Sequence, residues 1–249
     1  MAGHSHAANV ARRKNAVDAK RAKIFSKCAK AVMSAVRQGG PDPDANLKLR
    51  YAIEKAKAAN MPKDNIERAI KRASGEAGGE IEELIYEGYA PGGVALMVSC
   101  LTDNRNRTAA DIKHIFEKRG GNLGAQGSVA FLFDFRSIFV IETGGKSEDE
   151  VMEAALEAGA DDVQVDGEVA TIYAGPGDFL DVKSALEPSG FMFLSAETGY
   201  VPQTTVEVAS KEEGGKILRL LEALDDNDDV QAVFANYDMP DEWIDELGG

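Results

Sequence analysis

Cysteine, histidine and long apolar runs are scarce in this chain. The two cysteines, Cys28 and Cys100, stand alone with no C-x-x-C spacing. That excludes a disulfide framework and a thiolate zinc site, and it fits a reducing compartment in which both are small buried apolar residues. Of the three histidines, His4 and His6 lack further metal ligands and suit hydrogen bonding, while His114 falls inside a predicted helix with no nucleophile motif nearby. No apolar run approaches the roughly 18 residues of a membrane span, and the start of the chain lacks the apolar core of a signal peptide, so a cytoplasmic protein is expected.

Net positive charge is also missing: the formal net charge is -14 and the sequence pI about 4.7. The distribution says more than the total. Residues 1–75 hold 17 of the 28 Lys and Arg but only 6 of the 42 Asp and Glu, leaving 11 against 36 for the remainder. A basic footprint is judged per domain, so nucleic acid is expected at one end of the molecule and repelled by the rest.

Lys20 to Arg37 carries the densest part of that footprint. At about 100° per residue, Lys20, Lys23, Lys27, Lys30 and Arg37 share a sector of roughly 100°, with Ile24, Phe25, Cys28, Val32, Ala35 and Val36 opposite. The stripe would run roughly 25 Å, enough for several phosphates, and Arg12, Arg13 and Lys14 extend it. Facing away from the core, Lys23, Lys27 and Lys30 are expected to tolerate charge reversal without unfolding. The first ten residues show no apolar period and are expected to form an arm that orders on a partner. Gly39-Gly40-Pro41 stops the helix, Asp42-Pro43-Asp44 caps a second over 45–59, and Pro62 opens a third carrying Ile66, Ala69, Ile70 and Ala73.

Residues 74–80, with three glycines, break every period where the charge changes sign, so 1–75 is expected to fold separately. Beyond lie a hairpin (84–89 and 94–101 around Pro91-Gly92-Gly93), a polar loop over 103–108, a helix capped by Thr108 with Asp111, and a strand over 128–135. Gly124 and Gly127 precede that strand, the wrong order for a phosphate-cradling loop, and are expected to serve a tight approach to the sheet. Strand 138–143, a helix capped by Ser147 with Glu150, strands 162–165 and 168–174, helix 178–186 and strand 191–197 read as βαββαβ. A final βαβ over 204–235 should complete the sheet of 81–135. The expected fold is α+β and multidomain: a basic three-helix domain (1–75), a discontinuous α+β domain (81–135 plus 202–249), and a ferredoxin-like unit (136–201) inserted into it.

Several motifs together are highly specific. The Met1-Ala-Gly-His-Ser opening, Tyr86-Glu-Gly-Tyr, Pro91-Gly-Gly, Asp103-Asn-Arg-Asn-Arg-Thr, Gly121-Asn-Leu-Gly with Gly127-Ser-Val-Ala, Glu153-Ala-Ala-Leu-Glu-Ala-Gly-Ala and Asp228-Asp-Val-Gln make the chain resemble the YebC/PmpR family over essentially its whole length. That family includes the mitochondrial translational activator of cytochrome oxidase. The resemblance implies three domains, a basic helical first domain, no enzymatic activity, and action in gene expression, through DNA binding in transcription or on the ribosome in translation. One departure is His6-Ala7 where the family usually has Lys-Trp, which removes a cation and a stacking group from the arm.

Catalytic candidates fail individually. Asp225-x-Asn227-x-Asp229 begins like a calcium loop, but Val230 replaces the turn glycine and Asn236 the bidentate Glu, leaving a solvated helix-to-strand turn. No cofactor is implied. The expected nucleic-acid contacts are Arg12, Arg13, Lys14, Lys20, Lys23, Lys27, Lys30 and Arg37, with Arg105 and Arg107 at the domain junction. Lys and Arg among small residues suit backbones rather than bases, and no coiled-coil seam suggests a dimer. The pattern leans to ribosomal RNA bound by a monomer, with DNA-directed transcription regulation as the competitor. The acidic domains are read either as docking on basic ribosomal proteins or as charge for solubility.

Overall fold

The coordinates are a computed structural model describing residues 17–75 and 81–247, with side chains from residue 21 onward. The expected arm, His4, His6, Arg12, Arg13, Lys14 and most of the glycine linker lie outside the described residues, as does the side chain of Lys20. Among the described residues, eight α-helices and mostly antiparallel sheets make a mixed α+β fold. The chain forms two compact units, Val17–Ala130 with Gly215–Val233, and Phe131–Gly214 with Phe234–Gly249.

In the first unit, α1 (Val17–Gly39), α2 (Leu47–Ala58) and α3 (Lys63–Ser74) pack around Val32, Ala35, Val36, Leu49, Ala52, Ala69 and Ala73. Alanine at so many contact positions lets helix axes approach closely. The start of α2 is set by Asn46, not by the Asp42-Pro43-Asp44 segment. Its Oδ1 accepts from Leu49 N at 3.1 Å, and its Nδ2 donates to Ala35 O and Gly40 O, both at 2.8 Å. An amide can cap and donate at once, which a carboxylate cannot. Asn60, just beyond α2, takes a positive φ of 58°, as expected of a residue that ends a helix.

The sheet of this unit sets β3 (Asn122–Leu123) beside β1 (Glu82–Tyr89), then β2 (Ala95–Thr102), then β9 (Val230–Ala235). Strands β1 and β2 pair antiparallel from Glu82↔Thr102 to Tyr89↔Ala95. The intervening Gly92 and Gly93 supply the positive φ that the turn needs. Helix α4 (Arg105–Lys118) begins earlier than expected. Asn104 Oδ1 accepts from Arg107 N at 3.1 Å, so the expected polar loop is its first turn, and Thr108 is buried instead of capping. Of the terminal βαβ, only β9 (Val230–Ala235) joins this sheet. The other strand, β8 (Val206–Glu207), pairs in parallel with β10 (Tyr237–Asp238) in the second unit.

The second unit holds an antiparallel sheet ordered β5-β6-β4-β7. Its strands are β4 (Phe133–Glu142), β5 (Asp162–Asp166), β6 (Val169–Ala174) and β7 (Met192–Pro202). The expected strands over 128–135 and 138–143 are a single strand, β4, because Ala130–Leu132 forms a short 3-10 turn and Phe133 through Glu142 pairs without a break with β7, apart from a bulge at Val140/Ile141. Helix α5 (Glu148–Glu157) carries the expected Ser147/Glu150 capping box. Helix α6 (Phe179–Leu186) stacks Phe179 on Phe139 with ring centroids 5.2 Å apart. The C-terminal α8 (Asp241–Leu247) pairs Glu246 with Lys211.

Gly88 in β1 shows how tightly the first unit is closed. A Cβ there would lie 2.5 Å from Asn122 O on β3 (Asn122–Leu123) and 2.8 Å from the Phe116 ring of α4. Gly88→Ala is expected to cost about 1–3 kcal/mol by overpacking. Gly177→Ala, with nothing within 4 Å of its Cβ, should move stability by less than about 1 kcal/mol. Urea unfolding of the two variants measures the difference.

Candidate nucleic-acid interface

Helix α7 (Lys211–Asp225) ends in Asp225-Asp226-Asn227-Asp228-Asp229 and has no basic residue in its last turn. The last carbonyls of a helix lack intrahelical partners and carry the negative end of the macrodipole, and four aspartates here compound it. The cations come from α1. Lys27 Nζ donates to Asp225 O at 2.8 Å and Oδ1 at 3.0 Å. Lys30 Nζ donates to Asp228 O at 2.9 Å and Asp229 Oδ1 at 2.8 Å. Lys23 donates to Asp226 O and, at 2.9 Å, to its Oδ1. Each ammonium therefore binds one carboxylate and one backbone carbonyl.

This corrects the expected disposition of the stripe. Lys23, Lys27 and Lys30 do face away from the hydrophobic core of the three helices, but they meet an acidic turn of the same unit rather than solvent. The Asp225–Asp229 turn is accordingly tied to α1 by three lysines, with Asp229 buried while Asp226 and Asp228 stay exposed. Reversing these lysines would set like charges against a helix C-terminus, so such a variant cannot be assumed to keep its fold.

Asp229 is the centre of the arrangement. It is 4% exposed, and besides Lys30 its carboxylate accepts from Arg107 Nη2 at 2.8 Å and Thr108 Oγ1 at 2.7 Å through Oδ2. Its backbone O accepts from Leu101 N at 2.8 Å, and its N–H donates to Asn227 Oδ1 at 2.9 Å. Burial opposes ionisation, but the hydrogen bonds from Lys30, Arg107 and Thr108 outweigh it and hold the carboxyl at a pKa of about 2. Asp229 also raises the neighbouring Cys100 thiol, already pushed up by burial, to about 12. Cys28 and Cys100 are both buried and free, and Cys28 too is raised by burial.

The glycine loop between β3 and β4 closes on another carboxylate. Glu87 accepts from Gly127 N at 2.6 Å and from Val129 N and Ala130 N, both at 2.8 Å. Burial pushes this group up, and the three backbone bonds together overcome that, leaving it below the ordinary carboxylate range. The loop has the inward N–H groups of an anion cradle, and the protein's own Glu87 fills it. Gly127 supplies a φ of 83°, while Gly124 is needed for room, since a Cβ would stand 2.4 Å from Ser128 Oγ.

The remaining expected contacts scatter. Arg37 is half-buried near the end of α1. Arg105 is exposed in the first turn of α4, and Arg107 is tied to Asp103 at 2.9 Å as well as to Asp229. His114 is exposed on α4. Sequence reasoning overlooked Arg21, which lies over the Phe25 ring at 5.4 Å. It counted Arg50, Lys71 and Arg72 only as bulk charge, although these too are exposed. The signal was their place on the polar faces of the helices.

Known proteins similar to this chain span all of it. A family profile described as the TACO1/YebC protein N-terminal domain matches residues 5–76, and one described as the TACO1/YebC second and third domain matches residues 81–237. A probable transcriptional regulatory protein from Halothermothrix orenii is 49% identical over 250 residues, covering 99% of both chains. One of the same description from Aquifex aeolicus is 49% identical over 249 residues, covering 100% of both. The crystal structure of a conserved hypothetical protein from Aquifex aeolicus superposes with a TM-score of 0.81 at 49% identity, covering 90% of this chain and 93% of that one.

The depressed Asp229 pKa makes stability pH-dependent. Because the folded value lies below the unfolded one, its contribution is fully present above about pH 4 and lost as pH falls towards 2. The difference is worth about 2 kcal/mol. Asp229→Asn should be less stable at neutral pH, and the gap to the parent protein should narrow between pH 5 and about 2. Urea midpoints measured across that range check this.

Proposed function

The chain belongs to the TACO1/YebC family, and on that premise we propose that it is a non-enzymatic regulator of gene expression whose basic helical segment binds nucleic-acid backbones. One observation carries the reading. After three lysines of α1 have been consumed internally, the helices still expose Arg21, Arg50, Lys71 and Arg72, in no ion pair among the described residues. Arg12, Arg13, Lys14 and Lys20 add to this charge from the sequence. These are phosphate-seeking groups without a base-reading pattern, so they give position and affinity rather than sequence choice. Dense phosphates presented by shape suit such a surface, which favours structured RNA and the ribosome.

The relatives' name, probable transcriptional regulatory protein, favours the alternative of DNA-directed regulation. On this reading the chain divides functionally into residues 1–75, a discontinuous domain of 81–135 plus 202–249, and a ferredoxin-like unit of 136–201, a division that differs from the compact units, which group 202–214 and 234–249 with the last. The β5-β6-β4-β7 order with α5 and α6 as its crossovers supports the last of these.

If about six phosphates are engaged, affinity for RNA should fall roughly a thousandfold between 50 and 200 mM salt. The variant Arg21→Glu/Lys71→Glu/Arg72→Glu should lose most of that binding while melting like the parent protein. Unaltered binding in it would remove the exposed helix cations from the proposal. In-cell crosslinking with sequencing separates the two targets: enrichment of ribosomal RNA supports the ribosome, and discrete promoter DNA supports transcription.

A further inference from the structure

The ion pairs between α1 and the acidic turn after α7 are not equivalent. Asp229 is fixed: its side chain is 5% exposed and is shared among Lys30, Arg107 and Thr108. Asp225 and Asp226 are different. Their side chains are 45% and 56% exposed, and each carboxylate meets its lysine at the rim of the unit. Lys27 and Lys23 are correspondingly the part of the stripe whose anionic partners stand in water.

Each of these ammonium groups sits on a carboxylate oxygen and a carbonyl oxygen, the kind of oxygen pair that a phosphodiester also offers. Lys23 and Lys27 are one helical turn apart, about 6 Å along the axis, so neighbouring phosphates of one strand could meet both. An exposed ion pair is worth only about 0–1 kcal/mol, which makes the exchange of a carboxylate for a phosphate easiest at Lys23, whose side chain is 27% exposed; at Lys27, 14% exposed, a phosphate would have to take the very place of the half-exposed Asp225 carboxylate. At Lys30 it is blocked by the buried Asp229 network.

We infer that Asp225 and Asp226 occupy a two-phosphate site on α1, and that nucleic-acid backbone competes with them for Lys23 and Lys27 while the Lys30–Asp229 pair stays closed. The acidic turn then acts as an internal competitor that lowers the affinity of the basic helices. This rests on the nucleic-acid reading above, and it adds a site and its regulation that the exposed cations alone do not contain.

The test compares the full-length protein with Asp225→Asn/Asp226→Asn, with that variant carrying Lys23→Gln/Lys27→Gln as well, and with Asp111→Asn/Glu117→Gln. The last loses the same charge from exposed positions on α4. The probe is a mixed-sequence single-stranded RNA oligonucleotide titrated over a range of salt. Asp225→Asn/Asp226→Asn should bind roughly tenfold tighter than the parent protein, with a salt dependence steeper by about 1.4 in the logarithmic slope, the value for two added contacts. The Lys→Gln changes should cancel both effects, and the α4 control should show neither. Parent binding with no gain in the Asn variant overturns the inference alone, as does an equal gain in the α4 control. Binding by neither the parent nor the Asn variant overturns the nucleic-acid reading together with it. Binding by the Asn variant only supports the competitor and shows that the exposed cations are insufficient by themselves.

Discussion

The closure of the α7 C-terminus by α1 is the interaction on which the first unit depends. Four aspartates at the negative end of a helix dipole would repel one another and expose unsatisfied carbonyls. Lys23, Lys27 and Lys30 answer both problems at once, because each binds a carboxylate and a carbonyl together. The charge asymmetry of the chain is therefore partly an internal matter. Residues from the basic end and from the acidic end neutralise one another across about 200 positions of sequence, and the overall charge of either segment overstates what it offers to a partner.

Glu87 obeys the same logic with backbone donors in place of lysines. Both buried carboxylates sit where removal would leave a cluster of donors aimed at nothing, which is more damaging than the pair itself is stabilising. Their contribution is to specify geometry. Asp229 joins α1, the start of α4 and the edge of β2 at one point, through Lys30, Thr108 and Leu101. Glu87 fixes the conformation of the loop that leads into β4.

Features decided by neighbours in sequence were legible before the structure. The three N-terminal helices, the Ser147/Glu150 box, the hairpin around Gly92-Gly93 and the burial of both cysteines needed only local pattern. The misreadings share a cause. Thr108 looked like a cap because its spacing to Asp111 was right, but a buried carboxylate from β9's entrance claims its hydroxyl and leaves capping to Asn104. The lysine stripe looked solvent-facing because no acid interrupts it between Lys20 and Arg37, and its partners arrive some 200 residues later. The strand beginning at Phe133 looked like two because a hydrophobic run carries no mark of where pairing starts. Arg21 was overlooked because it falls off the stripe that the periodicity emphasised.

An acidic competitor beside a cationic helix also changes which anions the helix can bind. A small anion would have to displace one carboxylate while gaining a single contact in water, an exchange with nearly no driving force. A polymer that already rests on Arg21, Lys71 and Arg72 adds the same contact within one molecule, at the high effective concentration that linkage provides. On the proposed reading, competition by Asp225 and Asp226 would discriminate by valency rather than by sequence, without a base-reading side chain. The buried Asp229 network would set the limit of that exchange, because Lys30 and Arg107 both hold its carboxylate at 2.8 Å.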